Sequence, residues 1–429
     1  MPDMSTLVRQ SFLNHLYEMQ VEQQRRYVMY REYYDGEHHT KLSRRQQRFL
    51  ELSTGVTFRL NYCPIVIDSL AERLLVTGFD AGETQSVQLW DWWEVNRMDG
   101  VQNDVHLASV RDGDAFVMVE WDVEEERPIF TLELGFDGSD GVKIHYSDER
   151  RGLVSFASKR WVITNLEDDA GNKRRLNLYY PDRIEKYVSD DKVERGNWTR
   201  YTDDDEPRWP IPWTTTNAEG GDPLGVPLMH FAYKAGGYNY GKSRMIDVIP
   251  PQNALNKQAI ALAASADYDA FSVMYALGAG MGDLGNVKTA PGSLITSEDP
   301  NAKVGRIPSG DLSSLLAYKN DIIMDIARVS NTPLSRMQLS GQLASEGTLK
   351  QQEAGLVADA ESTQTAFGNS WEDVMGMGRK LHNVFGAGGM KEEQTIATEW
   401  KQAAVRDETE LVERLGVMSE KLHITDIVL

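Results

Sequence analysis

At 429 residues the chain is long enough for two or three compact regions and a sizeable core. Its 65 acidic residues against 45 basic ones give a formal charge of -20, which argues against the basic domain or stripe that grips nucleic acid tightly; the excess either only keeps a large assembly soluble, the plainer reading, or makes a surface past which a polyanion slides without sticking. A single cysteine, Cys63, excludes an intramolecular disulfide, and no apolar run approaches the ~18 residues of a membrane span. The opening MPDMSTLVRQ lacks the basic and apolar regions of a secretory signal, so a chain that is soluble and cytosolic when made is expected.

Residues 6 to 34 place Leu13, Leu16, Tyr17, Val21, Tyr27 and Val28 near helical spacing, with Asp35-Gly36 as the stop. The basic stretch KLSRRQQR then reads as a solvated helix face. Pro64 opens a second helix whose stripe is Ile67, Leu70, Ala71, Leu74 and Leu75, ended by Gly78, and Cys63 reads as a small buried hydrophobe. Trp90, Trp92 and Trp93 fall in a short helical pattern, before a further helix ending near Arg111. From Ala115 the period changes to two, and AFVMVEWD, PIFTLEL, VKIHY, LVSFASKRWVIT and RLNLYY read as a strand meander. Glu194 to Pro227 reads as a long loop before the strand VPLMHFAY, which makes the first half an α+β region.

Gly236, Gly241, Lys242 and Ser243 satisfy the phosphate-loop pattern G-x-x-x-x-G-K-S after that strand. A true phosphate loop needs small residues whose N–H groups wrap the anion and a helix that starts at once. Tyr238 and Tyr240 are poor choices there, Pro250 and Pro251 interrupt the helix, and no apolar strand ending in Asp follows to serve Mg²⁺. The eight histidines form no H-E-x-x-H and there is no G-x-S-x-G elbow, so no metal or catalytic residue is assigned and no cofactor is expected. An acidic glycosidase is the other enzymatic alternative, but nothing singles out a carboxylate pair.

The second half carries a distinctive order of parts. A small-residue helix over roughly Gln252 to Leu277 cannot wrap a core by itself, so copies of the same chain are its expected neighbours. A Gly/Pro-punctuated block with strand-like SLIT and KVGRI makes a hairpin tip. Asp311 then caps a returning helix with Leu312, Leu315, Leu316, Ile322, Ile323 and Ile326 on its apolar face, ending near Asn331 before Pro333. A flexible loop leads to a pattern from Thr348 to Phe385, a helix of about 57 Å with Gly355 and Gly368 as candidate bends. Another helical pattern begins near Glu392.

With YYDGEH, NYCPIVIDSLAERLLVTGF, YGKSRMIDVIPPQNALNK, PGSL with VGRIPSGDL, and SEGTLKQQEAGL in this order, the chain resembles the portal proteins of tailed double-stranded-DNA phages over most of its length. The resemblance implies a portal-like α+β fold: wing at 1–248, stem helices at 249–278 and 312–333, a small β-containing clip at 279–311, tunnel loop at 334–347, long bent wing helix at 348–390 and a short helical crown at 391–429. It implies a ring, usually a dodecamer, at one capsid vertex of the virion, without enzymatic activity of its own. DNA would pass through without tight binding, and the partners would be the major capsid protein, a separate ATP-hydrolysing terminase and head-completion or adaptor proteins. By the same resemblance Ser340, Gly341, Gln342, Leu343, Ala344, Ser345, Glu346 and Gly347 face the DNA, while Pro291, Gly292, Ser293, Glu298, Asp299, Lys303 and Arg306 dock the terminase or adaptor.

Overall fold

The computed structural model describes residues 4–44, 46–48, 60–150, 152–163, 173–189, 197–203, 206–270, 274–277, 303–306, 312–337 and 346–404. Helix α1 (Met4–Tyr34) forms as its spacing predicts, burying Leu13, Leu16, Tyr17 and Tyr27. It stops at Asp35-Gly36, where Glu37 N donates to Glu32 O at 2.7 Å. Helix α2 (Cys63–Ala71) opens on Pro64, whose missing N–H is no loss in a first turn. Cys63 is buried, and burial pushes its thiol up to about 12, so it acts as the small hydrophobe expected. Strand β1 (Val76–Asp80) follows, which corrects the reading of Gly78 as a helix stop. Helices α3 (Glu83–Val95) and α4 (Met98–Asp112) come next, and α4 is closed by Gly113 at φ 95°, a conformation that favours glycine.

The period-two region becomes β2 (Asp114–Asp122), β3 (Arg127–Glu133), β4 (Gly141–Tyr146), β5 (Val154–Ile163), β6 (Lys173–Tyr179), β7 (Arg183–Ser189), β8 (Thr199–Arg200), β9 (Ile211–Pro212) and β10 (Leu228–Ala232). They form an antiparallel sheet of order β10-β2-β3 and a meander of order β4-β5-β6-β7-β8, with β9 also on β7. Strand β7 escaped the sequence reading because charged Arg183, Glu185 and Lys186 mask its alternation. The Glu194 to Pro227 connection is pinned where it is described: Trp209 Nε1 donates to Lys186 O at 3.0 Å and Trp213 Nε1 to Gly225 O at 2.7 Å.

The remaining elements are α5 (Ile249–Ala270), β11 (Met274–Leu277), β12 (Lys303–Arg306), α6 (Leu312–Val329), α7 (Leu334–Met337), α8 (Glu346–Phe385) and β13 (Ala397–Trp400). Two readings are corrected here. The outgoing helix ends at Ala270 rather than Leu277, and Met274–Leu277 pairs with β12 instead. Of the segment read as helical beyond Glu392, the described part holds a strand over Ala397–Trp400, paired with β1, where Thr395, Ile396 and Thr398 bring β-branched side chains; residues 405–429 lie outside the described residues.

Alternation along β2 explains the layering. Ala115, Val117 and Val119, with Phe231 of the neighbouring β10, face a helical layer that brings Trp93, Phe367 and Trp371. Phe116 and Met118 face the meander and meet Val142, Ile144, Ala157 and Tyr179. On the meander's other side, Leu176, Leu178 and Tyr187 pack under Leu13 and Leu16 of α1. That contact contains a buried polar row: Arg160 donates to Gln20 Oε1 and, at 2.9 Å, to Leu13 O, while Lys143 Nζ donates to Met19 O at 2.8 Å. The resulting α+β fold matches the class the sequence predicts. No helix among the described residues is long and apolar enough to cross a membrane.

Candidate functional site

Helix α5 begins Ile249-Pro250-Pro251, so the two prolines occupy its first turn. Amides hold its base. Gln252 Oε1 accepts from Tyr62 N at 3.0 Å, and its Nε2 donates to Leu60 O. Asn256 Oδ1 accepts from Leu60 N at 3.2 Å, its Nδ2 meets His38 Nδ1 at 2.6 Å, and Asn253 Oδ1 accepts from Thr40 Oγ1 at 2.9 Å. Such amides fix orientation because each one left unpaired would cost a hydrogen bond's desolvation. The signal was present in the sequence, polar residues at 252, 253 and 256 on one side of a helix, but composition alone reads them as surface.

Helix α6 packs along α5, with Gln258 Nε2 donating to Leu315 O at 3.2 Å. Its predicted apolar face divides: Ile322, Ile323 and Ile326 are buried, whereas Leu316 is 46% and neighbouring Tyr318 54% exposed. Past the helices the out-and-back course continues as the β11–β12 ladder, Met274 opposite Arg306 and Leu277 opposite Lys303. Lys303 and Arg306 thus stand at the two ends of β12. Pro291, Gly292, Ser293, Glu298, Asp299 and the capping Asp311 lie outside the described residues.

At the far end α6 stops where predicted. Asn331 takes φ 51° and Thr332 N donates to Ala327 O at 3.0 Å, just ahead of Pro333. Ser340, Gly341, Gln342, Leu343, Ala344 and Ser345 lie outside the described residues. Glu346 and Gly347 are corrected from loop to the first residues of α8; glycine lowers helix propensity without forbidding a helix. Helix α8 runs unbroken through Gly355 and Gly368.

A buried cluster joins these parts. Arg244, between the GKS turn and α5, forms an ion pair with Asp359 of α8 and donates to Ser330 O at the end of α6. Tyr233 OH donates to Asp359 Oδ2 at 3.1 Å, and half-exposed Lys234 reaches Asp359 Oδ1 at 2.7 Å. Body, hairpin and long helix therefore meet on one guanidinium, whose planar fork satisfies two acceptors at once.

The GKS turn makes no phosphate cradle. Gly241 N donates to Asp114 Oδ1 at 2.7 Å, Lys242 N to Tyr233 O at 2.8 Å and Arg244 N to Val110 O at 3.0 Å, so these donors are already used. Asp114, which also accepts from Tyr27 OH and His230 Nε2, both at 2.8 Å, puts a carboxylate beside the turn. A Cβ on Gly241 would lie 2.0 Å from Gly113 O, and this close backbone approach is why the position needs glycine.

The architecture is thus an α+β body that anchors a helical hairpin through buried amides and clasps it to a long helix through Arg244. Residues 13–427 match the family model described as phage portal protein, SPP1 Gp6-like. No curated protein matches the chain. That family is structural and non-enzymatic, and its match spans nearly the whole sequence. The chain belongs to the phage portal protein family.

Proposed function

We propose that copies of this chain form a ring, dodecameric as in the family it resembles, at one capsid vertex, where it conducts double-stranded DNA during packaging and ejection. Residues 1–248 serve as the wing, 249–270 and 312–333 as stem, 271–311 as the clip that docks terminase and head-completion proteins, 338–345 as the loop facing DNA, 346–390 as the long wing helix and 391–429 as the crown. The observation that carries the reading is the hairpin: a family member's paired helices bear exposed Leu316 and Tyr318, apolar surface that a neighbouring copy would cover. The charge of -20 supports a conduit, since each firm phosphate contact would have to break at every step of translocation.

Native mass measurement on the purified protein tests this reading. A closed high-order oligomer is expected under assembly conditions; a monomer or dimer at every concentration contradicts it. The engaged N–H groups at Gly241 and Lys242 weigh against the alternative of a phosphate-loop enzyme.

A further inference from the structure

Exposed apolar side chains on α6 divide between two opposite edges of the hairpin. Tyr318 and Val329, 54% and 52% exposed, are separated by about three helical turns and share one edge. Leu316, 46% exposed, differs from Tyr318 by roughly 200° around the axis and about 3 Å along it, which puts it on the other edge at the same level. Level with Val329, that second edge opens into a cleft of about 360 Å³ lined by Met324, Ala327, Arg328, Pro333, Leu334 and Gln352 among others. Two opposite charges sit closer together, about 60° apart around the axis. Asp325, one turn from Val329, lies on the first edge, and Arg328 lines the cleft. Their contact within one copy, 3.1 Å with side chains 60% and 71% exposed, is a solvent-screened pair that holds neither residue firmly.

We infer that Val329 of one copy seats in the cleft between Met324 and Leu334 of the next, with Tyr318 against the neighbour's Leu316 and Asp325 facing the neighbour's Arg328. A projecting edge and a socket at one level on opposite sides of one element are what a repeating head-to-tail contact requires, whereas a two-fold contact would join an edge to itself. The inference rests on the ring reading and adds which side chains meet.

Disulfide trapping tests it, because native Cys63 is buried and gives a silent background. Chains carrying V329C alone or L334C alone should form no linked dimers on mild oxidation. Mixed before assembly, they should give dimers, and the double variant a ladder of linked multimers. Self-linkage of V329C would mean a two-fold contact and overturn the inference. A full-size oligomer without linkage between 329 and 334, as when residues 338–345 of the same chain fill the cleft, would also overturn it and leave the ring reading standing; absence of any oligomer would sink both. Independently of thiol chemistry, Val329→Arg should raise the concentration needed for assembly at least tenfold with the monomer's Tm unchanged, and assembly at the wild-type concentration would contradict the proposed contact.

Discussion

The indole Nε1 of Trp371 donates to His106 Nε2 at 2.9 Å, and His106 Nδ1 donates in turn to Leu74 O at 2.9 Å. The two bonds set the tautomer and join α4 to α8 inside the core. Phe367 stacks on the imidazole at 5.4 Å between ring centroids, and Trp93 meets Trp371 edge-on at 4.9 Å. Burial pushes His106 down to about 3, so the ring stays neutral in the folded protein. Removing the donor by Trp371→Phe should destabilise the fold by about 1–3 kcal/mol through an unsatisfied buried nitrogen. Urea unfolding would measure the change; a loss below about 0.5 kcal/mol would contradict this account.

Stability should fall in mild acid. Burial also pushes His145 to about 3, with smaller contributions from Lys143 and Arg160. An ordinary unfolded histidine titrates near 6.5, so the unfolded chain binds more protons between about 6.5 and 3. Stability is therefore full above that window and is lost as pH drops through it, by about 2 kcal/mol per histidine between pH 7 and pH 5. Unfolding midpoints at the two pH values should differ less in His106→Gln than in wild type. Equal differences in both would count against the buried neutral state.

Arg244 is the costly residue of the Asp359 cluster. Arg244→Met leaves a buried carboxylate short of a partner and Ser330 O without this donor, a loss of about 3–5 kcal/mol. Lys234→Ala removes a half-exposed partner of the same carboxylate and should cost only about 0–1 kcal/mol. A double-mutant cycle between Arg244 and Asp359 should return strong coupling, and additive losses would show the pair to be independent.

The GKS turn yields opposite expectations for neighbouring residues. Lys242→Ala should leave stability and nucleotide affinity unchanged, because Lys242 Nζ rests 5.6 Å from the Tyr238 ring centroid rather than in a phosphate site. Gly241→Ala should cost about 3 kcal/mol or more, since its Cβ meets backbone that cannot give way. Mg²⁺-dependent ATP binding that vanishes in Lys242→Ala would restore the enzymatic reading.

Deleting Gln338 to Ser345 probes the DNA-facing assignment. Rings should still form, because the Asp359 cluster and the amides at the α5 base lie outside the deletion, but packaging or retention of DNA should drop. Deleted particles that fill at the wild-type rate and extent would show the segment to be a dispensable surface loop.

Much of the body was legible because local spacing carries it: Leu13, Leu16 and Tyr27 on α1, the alternation of β2, and Asn331 before Pro333 each announce an element within a few residues. What escaped depends on distant partners. Ala397–Trp400 becomes a strand only because β1 lies beside it, and Met274–Leu277 only because Lys303–Arg306 returns to pair with it. Gln252 and Asn256 look like surface amides until the backbone at Leu60 arrives from nearly 200 positions away, with separations of 192 and 196 residues. The GKS string was set aside in the sequence for its bulky tyrosines and early prolines, but the partners that occupy its N–H groups, Asp114, Tyr233 and Val110, are invisible to a local pattern.

The central claim is that this chain closes head to tail around a DNA path, and single-particle images of the assembled protein viewed down its symmetry axis test it most directly. The account predicts a closed ring with a central opening wide enough for a duplex and the α5–α6 hairpins surrounding it. Open filaments, two-fold dimers or particles with a filled centre would contradict it.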